Sequence, residues 1–582
     1  MNVIGISAFY HESACCLLQD GRLVAAAEEE RFTRVKHDAR LPVAAFASCL
    51  EAGGLEVSDV DCVAYYESPV KKLGRQLWAG RRPDGGAGLD PLRPEHEIRE
   101  RLGFEGRIET FEHHASHAAS AFYFSGFPEA AVLTVDGVGE WATTAYGRAD
   151  GDDLTLFEEV EFPDSLGLFY SAITAYLGFR VNTDEYKVMG LAPYGEPRLL
   201  AAMRTIVRDG PGGSYSLDPA CFDFLTGSRM FADALAERLG GPPRDSQAKL
   251  TAFHHDVARS AQARLEEVLL DKVRYLHGRV PTSHLCMAGG VALNCVANGR
   301  ILREGPFDRL FVQPAAGDAG GCLGAAALAH RALTGRRPVT TALEHAYLGP
   351  RFSAEAVAEL LAVLELDAFD FRGRQRALLE ATVDRLAAGQ VIAWFHGGME
   401  FGPRALGARS ILADPRVPDM RERLNRLVKR REAFRPFAPS VLLAHAHEHF
   451  ELEHASPFML QTCRVRSPLA LPAITHVDGS ARPQTVDPAQ APRYAALLAA
   501  FARRTGCPLL LNTSFNVHDE PIVHSPSDAL ACLAGTEIDA LVLEDFVIDR
   551  AALPESLHRL AAQRAYGRAR ERQISAALYT FV

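Results

Sequence analysis

A strand that runs into a polar or glycine-rich turn and returns as a hairpin partner occurs twice before residue 150, and this recurrence constrains the fold more than any other feature. The first copy reads as a strand over residues 2–8, a turn holding His11, a strand over Ala14–Gln19, a turn at Asp20-Gly21 and a third strand over Arg22–Ala27. The second copy runs from Ala130 to Val135, breaks at Asp136-Gly137-Val138-Gly139-Glu140 and returns over Ala142–Tyr146. Helical sequence separates the copies, so the pattern is a duplicated α/β unit. Two more strands follow a long amphipathic stretch around residues 245–277. Ser283–Met287 runs into Ala288-Gly289-Gly290-Val291-Ala292-Leu293-Asn294, and Arg309–Val312 precedes the glycine-rich Gly317–Gly324. A strand, then glycines, then a helix start puts backbone N–H groups where a nucleotide can approach, which makes Gly289, Gly290, Asn294 and Gly317 candidate nucleotide contacts. Asp136, Gly137 and Gly139 form the corresponding turn of the second copy.

At 582 residues the chain is too long for one core, so at least two domains are expected. The basic, turn-rich segment Arg331–Ala342 and the following Leu348-Gly349-Pro350 place the boundary near residue 350, dividing the chain into 1–350 and 351–582. The second part holds an apolar strand over Val391–Phe395, the motif Gly402-Pro403-Arg404-Ala405-Leu406-Gly407-Ala408-Arg409-Ser410, a basic helix-like run over Arg423–Arg435, and Leu509-Leu510-Leu511-Asn512-Thr513-Ser514-Phe515-Asn516. Helices are expected from Ser556 onward. The net charge of −11 argues against broad nucleic-acid binding. No signal peptide and no run of 18 apolar residues are evident, so neither secretion nor a membrane partner is expected. The 11 cysteines are scattered without a Cys-x-x-Cys pair, which suggests a reducing, cytoplasmic setting.

His113 and His117 lie four apart in Phe111-Glu112-His113-His114-Ala115-Ser116-His117-Ala118-Ala119-Ser120. On a helix they project from one face and chelate one metal. Together with Asp136 and Asp318 from the acidic turns they form a mixed nitrogen/oxygen set suited to a divalent Fe, Zn or Mn rather than a thiolate site. His114 sits about 100° round the helix and reads as a packing residue.

These residues fall into an order of motifs: Tyr10-His11-Glu12-Ser13, Glu28-Glu29-Glu30-Arg31-Phe32, the His113–Phe122 segment, Asp136-Gly137-x-Gly139-Glu140, Lys187-x-Met189-Gly190-Leu191-Ala192, Gly289–Asn294 and Gly402–Gly407. In this order the chain resembles the NodU/CmcH carbamoyltransferases over essentially its whole length. The resemblance implies an α/β fold with two modules. The N-terminal one is an actin-like ATPase domain similar to the TsaD-type tRNA threonylcarbamoyl transferase and carrying a metal. The C-terminal one is a YrdC-like α/β domain that makes acyl adenylates. It further implies that carbamoyl phosphate and ATP, with Mg as its counter-ion, become carbamoyl adenylate, and that the carbamoyl group passes to an acceptor alcohol of a natural product.

The roles implied by the resemblance match the chemistry of the side chains. Carbamoyl phosphate and ATP are polyanions, and Arg404, Arg409, Lys429 and Arg435 supply cations, with forked guanidiniums matched to phosphate oxygens. Arg430 and Arg431 share the same basic run. Asn512, Ser514 and Asn516 are placed to donate to carbamoyl or ribose oxygens. His11 is the expected general base, since imidazole titrates near neutral pH. Glu140 is expected to orient the acceptor or a metal-bound water, and Lys187 to pair a phosphate or sit at the surface. Acceptor selectivity is expected in loops over residues 65–100 and 165–245. A homodimer is compatible with this organisation. An actin-fold small-molecule kinase has no use for the histidine pair or the second module, and a tRNA-modifying transferase has to tolerate a polyanion. A non-enzymatic nucleotide-gated protein leaves His11 without a role.

Overall fold

The computed structural model describes residues 1–80, 90–225, 229–340, 342–429, 432, 434–559 and 561. Arg430, Arg431 and all but the first turn of the helices expected after Ser556 lie outside the described residues. The chain divides into two compact units. One holds Met1–Glu30 and His37–Leu343, and the other Arg31–Lys36 and 344–561.

In the first unit, β1 (Asn2–Ser7), β2 (Ala14–Gln19), β3 (Arg22–Glu28), β4 (Cys62–Tyr65) and β5 (Arg107–Thr110) form a five-stranded sheet in the order β3-β2-β1-β4-β5. β1 and β4 are buried along nearly their whole length, as their unbroken apolar sequence requires. The hairpin between β2 and β3 turns on Asp20 and Gly21, both left-handed at φ 50° and 74°, which a two-residue hairpin turn demands. A second five-stranded sheet is built from β6 (Glu129–Val135), β7 (Ala142–Asp150), β8 (Asp153–Glu161), β9 (His284–Ala288) and β10 (Arg309–Val312), in the order β10-β9-β6-β7-β8. Read from its other edge this is again third-second-first-fourth-fifth. In both sheets the first strand pairs antiparallel with the second and parallel with the fourth. The duplication legible in the sequence is thus a duplication of sheet topology.

Helices α1 (Pro69–Trp78), α2 (His113–Phe122), α3 (Ala252–Arg279), α4 (Cys295–Glu304) and α5 (Gly321–Thr334) connect and cover these sheets. α5 is pressed against β1 on one side and α2 on the other. A Cβ on Gly5 would lie 2.0 Å from the Cys322 carbonyl oxygen, and one on Gly324 would lie 1.7 Å from the Ser116 carbonyl oxygen. Ser116 sits between His113 and His117, so this glycine contact sets the depth of the histidine pair.

The second unit carries an eight-stranded sheet. Its strands are β11 (Phe369–Asp370), β12 (Ile392–Phe395), β13 (Arg409–Ala413), β14 (Ala438–Leu442), β15 (Gln484–Val486), β16 (Leu509–Ser514), β17 (Ala540–Leu543) and β18 (Phe546–Asp549), in the order β11-β18-β17-β12-β13-β16-β14-β15. The core joins these strands to Leu378, Leu386, Leu497, Phe501, Leu530 and Leu533 on the helices Gln375–Ala387, Pro492–Thr505 and Pro526–Gly535. The basic run is not one α-helix: Met420–Arg423 continues into a π-helical segment over Leu424–Lys429. Leu424, Val428 and Lys429 are buried there. Among the described residues no helix is long and apolar enough to cross a membrane.

Gly324→Ala is expected to destabilise the protein by about 1–3 kcal/mol, because the added methyl has no room against the Ser116 carbonyl. Urea unfolding of the two proteins measures this, and an unchanged midpoint would contradict the packing.

Candidate functional site

His113 and His117 stand on α2 at the spacing of one helical turn, and both rings are buried. Asp136 follows β6, and Asp318 opens the turn between β10 and α5. His113 Nε2 lies 3.0 Å from Asp136 Oδ2 and 3.6 Å from Asp318 Oδ1. His117 Nε2 lies 3.5 Å and 3.7 Å from the same two oxygens. One ligand atom from each of the four residues falls within 4.8 Å of all the others. Atoms bound about 2.1 Å from a common ion sit about 3.0–3.5 Å apart, close to this spacing. His117 Nε2 and both Asp318 oxygens are buried without a hydrogen-bond partner. Orphaned buried acceptors are costly unless something else satisfies them. The donor set therefore fits a divalent metal.

The surroundings hold these groups in place. Asp136 Oδ1 accepts from the Gly290 amide at 2.8 Å, which leaves Oδ2 for the histidines. The Glu140 carboxylate accepts from the His113 amide at 3.0 Å and the Ser68 amide at 2.6 Å, so it fixes the start of α2. His114 turns away and bonds Thr134 Oγ1 at 2.6 Å. Burial, with the neighbouring His113 and His117 adding to it, drives the His114 imidazole down to about 3. Burial also opposes the charged form of His117, but the facing carboxylates of Asp136 and Asp318 outweigh it and hold the ring at about 9. Burial would raise Asp136, yet the histidines keep it well below the usual carboxylate range. Asp318 is lowered against the same burial, chiefly by His113 and His11.

His11 occupies the bend between β1 and β2, with Nε2 3.9 Å from Asp318 Oδ2 and Nδ1 buried without a partner. Phe9, two residues earlier, is left-handed at φ 69°, a conformation a bulky residue adopts only under constraint. Its amide donates to the Ala39 carbonyl at 2.6 Å, and the Arg93 guanidinium covers its ring at 4.2 Å. That strained turn aims His11 at the cluster. Burial lowers the His11 imidazole, but the carboxylates of Asp318, Glu12, Asp136 and Glu185 raise it overall.

The turns expected to meet a nucleotide line the same region. Gly289 is left-handed at φ 92°, and a Cβ there would lie 2.2 Å from the Val135 carbonyl oxygen, so glycine is required for packing whatever else it touches. A Cβ at Gly139 would press on His113 and His114 at 3.0 Å, and one at Gly317 would meet Glu12 Oε2 at 3.3 Å. Ser165 Oγ donates to the Gly137 carbonyl at 2.6 Å. Asn294 caps α4 by accepting from the Ala297 amide and exchanges hydrogen bonds with Gln262, so its side chain serves the scaffold first. Lys187 is buried against Asp184 at 3.2 Å rather than at the surface.

In the second unit the expected anion ligands separate into three groups. Lys429 Nζ donates to the Ser514 and Asn516 carbonyls, to Ser514 Oγ at 3.1 Å and to Asn516 Oδ1 at 2.7 Å, which joins those three residues. Arg404 and Arg435 are half-buried, the latter 3.8 Å from Glu432. Arg409 and Asn512 depart from the expectation of open ligands. Arg409 is fully buried over the Phe395 ring at 3.5 Å, and it donates to the carbonyls of His396, Gly397, Ala408 and Pro350. Burial pulls it down to about 10, with Glu400 and Glu544 opposing. The Asn512 amide donates to the Ala405 carbonyl, Ser440 Oγ and Gln484 Oε1. Glu400 was not anticipated. Its Oε1 accepts from the amides of Leu406, Ala408 and Arg409 at 2.8, 2.8 and 3.1 Å, so one carboxylate oxygen shapes the loop that carries Arg404. An acid two residues before the Gly402–Gly407 motif was the available signal.

A family model described as carbamoyltransferase N-terminus matches residues 2–77 and 97–327, and one described as carbamoyltransferase C-terminus matches residues 383–550. An uncharacterized protein of Synechocystis is 44% identical, covering 95% of this chain and 97% of its own. Nodulation protein NolNO of Sinorhizobium fredii is 39% identical, covering 95% of this chain and 81% of its own. The 3'-hydroxymethylcephem-O-carbamoyltransferase of Streptomyces clavuligerus is 29% identical, covering 92% of this chain and 96% of its own.

Two outcomes follow from the geometry. Replacing His113 and His117 together by Ala is expected to abolish bound divalent metal, measured by elemental analysis of the purified protein, and retained stoichiometric metal would reject the ligand set. Glu400→Ala is expected to destabilise the second unit by at least about 2 kcal/mol, because buried amides lose their acceptor, and denaturant unfolding reads this directly.

Proposed function

The chain belongs to the carbamoyltransferase family, and from that premise we propose that it is an ATP-dependent O-carbamoyltransferase that forms carbamoyl adenylate and passes its carbamoyl group to a small-molecule alcohol. The observation that carries the reading is the position of His11: a partly exposed imidazole 3.9 Å from Asp318, itself one of four clustered metal-type ligands. In this reading the second unit is the YrdC-like module that takes carbamoyl phosphate and ATP. Arg404 and Arg435 receive phosphate oxygens, and Lys429 holds Ser514 and Asn516 in register. Arg409 and Asn512 act beneath them, fixing the loop rather than gripping the substrate.

The first unit is the transfer site. The acceptor hydroxyl gives its proton to His11 as its oxygen bonds to the carbamoyl carbon. The bond from that carbon to the phosphate oxygen breaks, and AMP leaves with the electron pair. A divalent ion held by His113, His117, Asp136 and Asp318 supplies Lewis-acid neutralisation of phosphate charge when bound. The Gly289-Gly290 and Gly137–Gly139 turns, free of side chains, let the nucleotide approach the backbone closely, and Glu140 keeps α2 seated through the His113 amide. The acceptor is an alcohol of a natural product, in keeping with the relative named for a hydroxymethylcephem.

AMP is expected to accumulate only when carbamoyl phosphate and ATP are both supplied. Appearance of ADP instead, or ATP turnover without carbamoyl phosphate, would favour a kinase. His11→Ala is expected to lower transfer from supplied carbamoyl adenylate by about 10²–10⁴-fold while adenylate formation persists. Loss of both steps would make His11 structural.

A further inference from the structure

The turn that carries His11 is clamped by one short segment. The Phe9 amide donates to the Ala39 carbonyl at 2.6 Å and the Ser13 amide to the Asp38 carbonyl at 3.0 Å, so residues 38 and 39 hold both ends of the turn. Asp38 is itself buried, and its Oδ1 accepts from the Arg40 amide and Nε at 3.1 and 2.9 Å. His37 stands at the head of this clamp. Its backbone is left-handed at φ 55°, which few residues adopt unless held there, and its amide donates to Glu30 Oε2 at 2.8 Å. The imidazole faces Glu12, with Nδ1 3.5 Å from Oε1. Glu12 follows His11 directly, and its other oxygen lies over Gly317, where a Cβ would come within 3.3 Å of it. Gly317 precedes Asp318. The carboxylate therefore sits between His37 and the residue before a metal-type ligand, close enough to His11 for its charge to help raise that imidazole.

The polar atoms gathered here are not satisfied by the fold. Among the described residues the Glu12 carboxylate accepts no hydrogen bond, and His37 meets it only at ion-pair distance. His11 Nδ1, Ser13 Oγ and both ring nitrogens of His37 are buried without a hydrogen-bond partner. Several such atoms around one turn imply a ligand that brings the missing partners. A carboxylate asks for a donor, and the transfer reaction brings two: the acceptor hydroxyl and the carbamoyl N–H group. The hydroxyl gives its proton to His11. Glu12 lies toward Asp318, on the side of the phosphate-bearing donor, and so meets the N–H. That –NH2 is what separates a carbamoyl donor from an acetyl donor of the same shape. A methyl group offers no hydrogen and leaves the carboxylate without its bond.

We propose that Glu12, seated by His37, accepts an N–H of the carbamoyl group and so selects carbamoyl over acetyl donors at the transfer site. This rests on the carbamoyl-transfer reading above and adds the residue that reads the transferred group. His37 is a positioning residue, acting through Glu12. The test supplies preformed carbamoyl adenylate or acetyl adenylate to the full-length protein with its divalent metal, which bypasses adenylate formation. Water and glycerol serve as acceptors, and AMP release is followed. Comparing the two donors within each variant cancels a shared effect on His11. Glu12→Met, similar in length but without an acceptor oxygen, is expected to lower the ratio of carbamoyl to acetyl release about 10–100-fold. Glu12→Asp keeps the charge beside His11 but draws the acceptor back by one methylene. It should lower the ratio as well, so the outcome does not hang on the folding of Glu12→Met. His37→Asn, which tolerates the left-handed backbone, should shift the ratio the same way by a smaller factor. An unchanged ratio in the Glu12 variants, or an equal loss with both donors at an unchanged melting temperature, would overturn the assignment. An unchanged ratio in His37→Asn would remove the histidine from it. AMP formation from ATP and carbamoyl phosphate by the wild-type protein, measured alongside, separates the two readings. If AMP forms and the ratio does not move, only the Glu12 inference falls; if no AMP forms, the parent reaction falls.

Discussion

Asp136 and Asp318 are two carboxylates buried within reach of the same pair of imidazoles, and the rest of the first unit is arranged around that fact. Desolvating a carboxylate costs several kcal/mol, and placing two together adds repulsion. Hydrogen-bond donors and positive charge offset this: the Gly290 amide serves Asp136, and a divalent ion held by the four residues would supply the charge. The cluster is thus a source of instability that the fold tolerates. Its second layer is correspondingly firm: the Gly290 amide holds one oxygen of Asp136, Glu140 pins the start of α2, and Thr134 locks His114 out of the way.

Duplication is what delivers the residues. His11 follows the first strand of the first sheet, and Asp136 follows the first strand of the second, at equivalent places in equivalent topologies. Asp318 follows the last strand of the second sheet and opens the way into α5. α5 then passes between β1 and α2 at glycine contacts too close for any side chain. Backbone approach therefore fixes how deep the histidines sit, and the chemistry depends on steric detail at Gly5 and Gly324, which carry no functional groups.

The second unit reaches the same firmness by another route. The loop from Ala405 to Arg409 has its amides taken by Glu400 and Ser410 and its carbonyls by Asn512, Gln484, Tyr347, Trp394 and Arg409. Such a loop has little freedom left, which suits a site that must present cations at fixed positions. Several residues whose type suggests a ligand, Arg409 above all, are used as struts. A guanidinium offers donors in a planar fork, and main-chain carbonyls satisfy it as well as phosphate does.

The strands, the two turns that repeat and the histidine spacing were legible because each depends on local pattern: alternation, glycine at a turn, one helical turn between ligands. Asp136 and Asp318 were legible as acidic glycine-rich turns, although their convergence was a matter of topology. Residues such as Glu400, Thr134 and His37 carried no periodic signal, since their roles arise from partners tens or hundreds of positions away. The division of Arg409 and Asn512 from Lys429, Ser514 and Asn516 was equally invisible, because residue type records what a side chain can bond and not which partner lies nearest. Sequence alone thus determined the duplicated α/β plan, the kind of donor atoms available and the acidic character of the chain. Tertiary structure alone decided which donors face one another and which are spent on the backbone, because those depend on distances that close only when the sheets and helices pack.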